Sequence, residues 1–176
     1  MAPVEPADLD TLSGVPEQER GRSGTWARRA FIAFLSLVVL AGSVGLLGGH
    51  TSTARASADG YQMTLQYPGI ERPGIDTVWE LTVVHPGGFP GPVTVAVTGS
   101  YFDLFETQGF YPTPSATTRD GTNVYMTFTK PPGNTFVVMF DAYIQPYSVF
   151  GKKATVSVMR NGTAVASIHY HTWLVP

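Results

Sequence analysis

The chain contains no cysteine among its 176 residues, and only 14% of them are charged. The lack of cysteine excludes disulfide bonds, thiol catalysis, thiolate metal sites and a lipid-modified cysteine as a membrane anchor. With a formal net charge of −2, the chain also has no basic field that would bind nucleic acid. A folded domain in this chain must therefore be stabilised by burial of side chains.

Sequence motifs of known catalytic sites are missing as well. We find no nucleophile elbow, no zinc-protease helix, no phosphate-binding loop and no dinucleotide fingerprint. Carboxylates are scattered over different predicted strands and loops: Glu71, Asp76, Glu80, Asp103, Glu106, Asp120 and Asp141. We therefore expect a protein that is not an enzyme and that needs no cofactor. An envelope-remodelling enzyme, with carboxylates assembled only in space, is an alternative.

The longest feature present is an uncharged apolar run at residues 30–48, which follows a polar tail at residues 1–29. As a helix the run would be about 28 Å long, close to the ~30 Å hydrocarbon core of a bilayer. Four arginines precede it: Arg20, Arg22, Arg28 and Arg29. The polar composition of residues 1–29 predicts a disordered tail. The apolar run predicts a single-pass transmembrane signal anchor, and the positive-inside rule then places the tail in the cytoplasm and the C-terminal domain outside the membrane.

A cleaved signal peptide is the alternative to an anchor, and it would give a secreted protein. Ala56-Ser57-Ala58 is a small-residue cleavage site, so the mature chain would begin near Ala58. The apolar run is long for a signal core, and this site lies about ten residues beyond it. We therefore favour the retained anchor in the cell membrane, followed by a flexible stalk at residues 49–60.

From Tyr61 the hydrophobic period changes to two, which is typical of half-buried strands. Asn161-Gly162 is a strong hairpin signal. Seven strands are predicted, at residues 61–67, 79–83, 93–98, 124–128, 136–144, 154–159 and 164–172. We expect an all-β domain over residues 61–176, folded as a single immunoglobulin-like antiparallel β-sandwich, with a small barrel as the alternative.

Two expectations concern the core of this domain. Because both faces of residues 136–144 are largely apolar, we expect that strand to be buried on both sides. Trp79 shares a face with Leu81 and Val83, so it should be buried against the opposite sheet, near Phe136, Val138 or Phe140. Asp141, in an otherwise apolar strand, is interpreted either as an outward-facing edge charge or as a carboxylate that accepts hydrogen bonds from backbone N–H groups.

Three runs of the domain resemble the immunoglobulin-like conserved-repeat domains of bacterial surface proteins. They are Trp79–Val83, Gly121–Phe128 and Pro132–Val138, where a strand ending in an aromatic residue is followed by a Pro/Gly turn and a long apolar strand. The resemblance covers residues 61–172 and implies a fold and a surface role. It contains no functional motif and therefore implies no site.

An aromatic loop at residues 100–115 carries the functional prediction. Long ordered loops tend to bind, and aromatic side chains dominate interfaces. We expect the protein to be a membrane-anchored binding or accessory module that docks another envelope component. The predicted partner-binding residues are Tyr101, Phe105, Phe110, Tyr111, Tyr147 and Phe150. Phe110 and Tyr111 should be at least partly exposed, and should form with Tyr147 or Phe150 an apolar patch for a membrane partner or for the lipid headgroup zone.

A metal-binding periplasmic domain is a second alternative, although no metal site is our first expectation. His169 and His171 project from the same face of one predicted strand, opposite Ile168 and Tyr170. Two imidazoles are half of a zinc or copper site. A third ligand would have to come from His85, an acidic residue or Met159.

Overall fold

The structure is a computed structural model, and it describes residues 22–43, 48–106 and 109–175. The chain divides into two compact units, residues 1–47 and 48–176. Most of the predicted disordered tail lies outside the described residues.

The described residues of the first unit form one helix, α1 (Arg22–Ser43). Its large apolar side chains are exposed, and it is long and apolar enough to cross a membrane, although a signal sequence would meet the same criteria. The helix begins at Arg22 rather than at the predicted residue 30. The residues between them include alanine, arginine and tryptophan but no proline, so nothing stops the helix from extending toward the N-terminus. Residues 44–47, within the predicted span, lie outside the described residues.

The second unit is a curled mixed β-sheet whose described residues form eleven strands. Each of the seven predicted strands is present. The strands are β1 (His50–Ala58), β2 (Tyr61–Glu71), β3 (Asp76–Val84), β4 (Val93–Thr98), β5 (Phe105–Glu106), β6 (Phe110–Tyr111), β7 (Ala116–Arg119), β8 (Asn123–Phe128), β9 (Thr135–Ile144), β10 (Lys152–Arg160) and β11 (Thr163–Leu174). A 3-10 helix (Gly99–Leu104) connects β4 to β5.

The strand β1 corrects the prediction of a flexible stalk at residues 49–60. It pairs antiparallel with β2, from His50 opposite Ile70 to Ala58 opposite Tyr61. Asp59 and Gly60 form the connecting turn with φ values of 49° and 79°, the backbone region that a two-residue type I′ hairpin requires. The small side chains of β1 concealed its alternation, but the Asp-Gly pair was a usable hairpin signal.

The sheet also departs from the predicted fully antiparallel arrangement at one pair of strands. The order is β5-β9-β3-β2-β11-β10-β4-β8-β7, with β1 beside β2 and β6 beside β9. Every pair is antiparallel except β2 and β11, which run parallel where Trp173 lies opposite Ile70. The long β11 pairs with β10 over most of its length and with β2 at its end. The sheet therefore curls around its core.

The core contains Trp79, which is 1% exposed, as the sequence predicts. Its indole N–H donates to the Tyr170 hydroxyl oxygen at 3.2 Å, and Tyr170 lies on β11. Phe140, one of its three predicted contacts, is instead its register partner on the adjacent strand β9. The prediction that Trp79 would meet it across the core is therefore wrong.

Strand β9 is buried on one face only, and this overturns the prediction of burial on both. Its inward residues alternate with outward ones, and Val137 and Met139 are 38% and 43% exposed. Asp141 shares the outward face, as expected. Apolar residues on both faces of a strand thus indicated an exposed apolar surface rather than a second buried layer.

The domain has two ends, which we name by their relation to α1 in the chain. The proximal end contains the start of β1, the end of β2, the end of β9 and the connection at residues 145–151. The 3-10 helix lies at the same end, because it follows the end of β4 opposite Thr155. The distal end contains the Asp59–Gly60 turn, the Asn161–Gly162 turn and two Pro/Gly-rich connections.

Candidate functional site

The aromatic residues at the start of the predicted binding loop belong to the core. Tyr101 and Phe105 are 0% and 2% exposed, and the Tyr101 ring packs 4.9 Å from Tyr170 and 5.2 Å from Phe105. The Tyr101 and Thr172 hydroxyls share a hydrogen bond of 2.9 Å, and burial raises the pKa of the Tyr101 phenol. The prediction that Tyr101 and Phe105 contact a partner is therefore wrong, since the 3-10 helix turns them inward to cover the proximal end of the core.

Phe110 and Tyr111 form the short strand β6 against β9 and are at least partly exposed, as predicted. Phe110 is half-buried and stacks on Phe140 with ring centroids 4.8 Å apart, while Tyr111 is 74% exposed. Phe110 thus closes the edge of the core, and Tyr111 is the more accessible of the two residues. That either residue binds a partner stays a prediction.

Tyr111 belongs to an apolar surface on the outer face of the sheet, which we call the sheet-face patch. It consists of four exposed side chains: Val78, Tyr111, Val137 and Met139. Tyr111 lies opposite Met139 in the strand register, and a groove of about 480 Å³ runs between β3, β6 and β9. Two carboxylates flank it, because Asp141 pairs with Val78 and Glu80 pairs with Met139. The patch is thus an apolar surface with two carboxylates directly beside its members.

A second apolar surface lies at the proximal end, and we call it the proximal rim. Its members are Ile70, Ile75, Tyr147, Val149, Phe150 and Trp173, which are 39% to 80% exposed. Residues 145–151 contain no charged side chain. The backbone N–H of Gln145 donates to the Leu104 carbonyl at 2.9 Å, and its side-chain amide donates to the Phe105 carbonyl at 3.0 Å. The loop therefore has defined anchoring points at its start while its apolar side chains face solvent.

Tyr111 and the loop that carries Tyr147 and Phe150 are far apart, whereas the sequence predicted one patch containing both Tyr111 and Tyr147 or Phe150. Tyr111 pairs with Met139, but the loop that carries Tyr147 starts only after Ile144. Five residues of extended strand lie between these points, a distance of about 17 Å. Tyr147 and Phe150 are 75% and 80% exposed, so both side chains are accessible to a partner, as predicted. The prediction that they share one patch with Tyr111 is wrong.

The two histidines lie side by side on the outer face of β11, since Ile168 and Tyr170 are buried on the other. Their rings have other partners. The Thr155 hydroxyl lies 2.8 Å from His169 Nδ1, and the His171 ring packs 4.0 Å from that of Trp173. In the part of the chain that the structure describes, no group of three potential ligands surrounds them. His85 and Met159, the predicted third ligands, lie toward the distal end, where His85 Nδ1 is 2.8 Å from the Gly88 carbonyl.

Two carboxyl groups have shifted pKa values, and both shifts have structural causes. Burial raises the pKa of Glu71, opposed by the Arg72 backbone N–H and the nearby His50. The pKa of Asp120 is lowered to about 2, because its carboxylate accepts hydrogen bonds from the backbone N–H groups of Asn123 and Thr122 and from the Tyr125 hydroxyl. Asp120 closes the β7–β8 hairpin, and Glu71 ends β2. Neither arrangement indicates acid–base catalysis.

Comparison with known proteins does not assign this site. No protein-family model matches the chain, and no curated protein is significantly similar to it. The functional argument therefore rests on the two exposed apolar surfaces. Sequence reasoning identified Tyr111, Tyr147 and Phe150 but missed Val78, Val137 and Met139, which alternate with core residues in the same strands. Val149 had a usable signal, because it lies in the same uncharged loop as two predicted binding residues.

Proposed function

We propose that the protein is a membrane-anchored extracytoplasmic binding module with an immunoglobulin-like domain, and that it docks another protein of the cell envelope. The observation that carries the proposal is the sheet-face patch. Monomeric soluble domains rarely expose a contiguous apolar surface with a polar rim unless it is a site of interaction. The buried hydrogen bond from Trp79 of β3 to Tyr170 of β11, two strands that are not neighbours in the sheet, supports the immunoglobulin-like description.

The position of β1 supports a retained anchor over a cleaved signal. Cleavage after Ala58 would separate the whole of β1 from the domain. Ala54 and Ala56 pack against the core, and the strand pairs with β2 along its full length. A mature chain beginning at Asp59 would thus expose the edge of β2 and part of the core. Retention of α1 leaves the domain complete, and the four arginines that precede the apolar run at residue 30 favour a cytoplasmic N-terminus.

The chemistry of the sheet-face patch favours a protein partner over lipid. Glu80 and Asp141 lie directly beside its apolar centre and would repel anionic headgroups. Met139 and Tyr111 are residue types that are enriched in protein interfaces, where Met adapts to a partner's shape and Tyr adds a hydroxyl. The partner should therefore present an apolar side chain flanked by basic groups or hydrogen-bond donors.

Site-specific photocrosslinking in the native membrane tests this proposal. A photoreactive residue at position 111 should give an adduct with one envelope protein, and Met139→Glu should abolish it by placing a charge in the centre of the patch. Thr117 is exposed on β7, away from the patch, and provides the matched control position. Thr117→Glu should leave the adduct at position 111 intact. Equal adducts from positions 111 and 117, or an adduct that survives Met139→Glu, would overturn the proposal.

A further inference from the structure

We infer that the proximal rim inserts into the interfacial zone of the lipid bilayer and holds the proximal end of the domain against the membrane. The inference rests on the part of the proposed function that retains α1 as the anchor. It does not depend on the sheet-face patch or on its partner. It assigns a second, lipid-binding role to a different surface.

The distribution of exposed apolar side chains is the first argument. Ten large hydrophobic residues are exposed among the described residues of the second unit. Four of them form the sheet-face patch and six form the proximal rim. At the distal end, the exposed residues of the described turns are glycine, proline and polar types such as Lys130, Asn134 and Asn161, and Phe89 is buried. The exposed large hydrophobic side chains at the ends of the domain are therefore concentrated at the proximal end.

The chain that joins α1 to the domain is the second argument. Residues 44–47 separate Ser43 from Gly48, and even a fully extended chain of this length spans only about 18 Å. The strand β1 starts at His50, at the proximal end, where it lies beside the end of β2. A membrane-spanning α1 thus keeps the proximal end close to the bilayer surface, and the distal end has no such restraint.

The chemistry of the rim is the third argument, and it selects lipid as the occupant. Tryptophan and tyrosine favour the headgroup level of a bilayer, and the rim offers Trp173 and Tyr147 beside the aliphatic and aromatic Val149 and Phe150. Lys153 is exposed next to the loop, while Lys152 pairs with Asp103 at 2.9 Å. Because the proximal end carries both signs of charge, binding should depend on apolar insertion and only weakly on anionic lipid.

The absence of cysteine makes a direct test straightforward, because any introduced cysteine is the single labelling site. The full chain is reconstituted in phosphatidylcholine vesicles after Val149→Cys and labelling with an environment-sensitive fluorophore. Asn161→Cys, at the exposed distal turn, is the matched control. We expect nitroxide-bearing lipids to quench the fluorophore at position 149 at least threefold more than at position 161. Equal quenching at the two positions would overturn the inference.

A second variant separates insertion from mere proximity. Tyr147→Ser with Phe150→Ser should lower the quenching at position 149 to near the level at position 161. If quenching persists in this variant, the rim does not insert and the inference fails. If the fluorophore at position 149 is shielded from water in native membranes but not in pure lipid vesicles, the rim is occupied by a protein. That result would also overturn the inference. Vesicles contain no envelope partner, so none of these outcomes depends on crosslinking at position 111.

Discussion

Two aromatic segments at the proximal end have similar compositions and opposite environments. The first runs from Gly99 to Glu106 and buries Tyr101, Leu104 and Phe105, whereas the loop at residues 145–151 exposes Tyr147, Val149 and Phe150. The difference comes from the backbone. The first segment folds as a 3-10 helix across the open end of the core, and its carbonyls then accept hydrogen bonds from Gln145. The buried segment thus supplies the carbonyl groups that fix the start of the exposed loop.

The largest expected effect comes from truncating the buried segment. Tyr101→Ala should lower the free energy of unfolding by about 3–5 kcal/mol, because it leaves a cavity among Phe105, Tyr170 and Phe102. Chemical denaturation of the full chain in detergent or nanodiscs measures this. A loss below about 1 kcal/mol would mean that the 3-10 helix does not close the core, and the contrast between the two segments would disappear.

A smaller effect is expected from the Tyr101 hydroxyl alone. Tyr101→Phe removes the partner of the buried Thr172 hydroxyl and should cost about 1–2 kcal/mol. Adding Thr172→Val removes the unpaired hydroxyl as well, so the double variant should be more stable than the sum of the two single changes predicts. Additive losses would show that the hydrogen bond at 2.9 Å contributes nothing to closing the proximal end.

Glu71, at the end of β2, gives a pH-dependent test of the same end of the domain. Its pKa is raised in the folded state, so its contribution to stability is fully present below the unfolded value and is lost as pH rises through the folded value. Glu71→Gln should therefore flatten the decline in stability above pH 4.5, the ordinary pKa of a glutamate side chain. Melting temperatures from pH 4 to pH 8 measure this, with Glu106→Gln, an exposed carboxylate on β5, as the control. A steeper decline in the Glu71 variant would contradict the assignment.

The smallest effect on stability is expected from the exposed loop. Tyr147→Ser with Phe150→Ser should change the free energy of unfolding by no more than about 0.5 kcal/mol, because neither side chain packs in the core. The same pair of changes should have its effect on membrane contact instead. A large loss of stability would show that the loop is structural and would remove the contrast with Tyr101 and Phe105.

How much the sequence predicts depends on the kind of residue. The alternation of large and polar side chains located β2, β3, β4 and β8, because period two is read directly from residues such as Met63 and Leu65. Strand β1 was missed because alanine, serine and threonine differ little in size. The opposite environments of Phe105 and Phe150 could not be predicted, since both are aromatic residues in connections and only the path of the backbone decides which one turns inward.

The mass of the protein isolated from its native membrane tests the central claim most directly, because anchoring by α1 underlies both the proposed docking and the lipid contact. The account predicts a membrane-bound species close to the 18.9 kDa of the full chain. It also predicts that this species resists extraction by high salt or carbonate and is released by detergent. A mature protein that begins at Asp59, lacks β1 and is recovered without detergent would contradict the account.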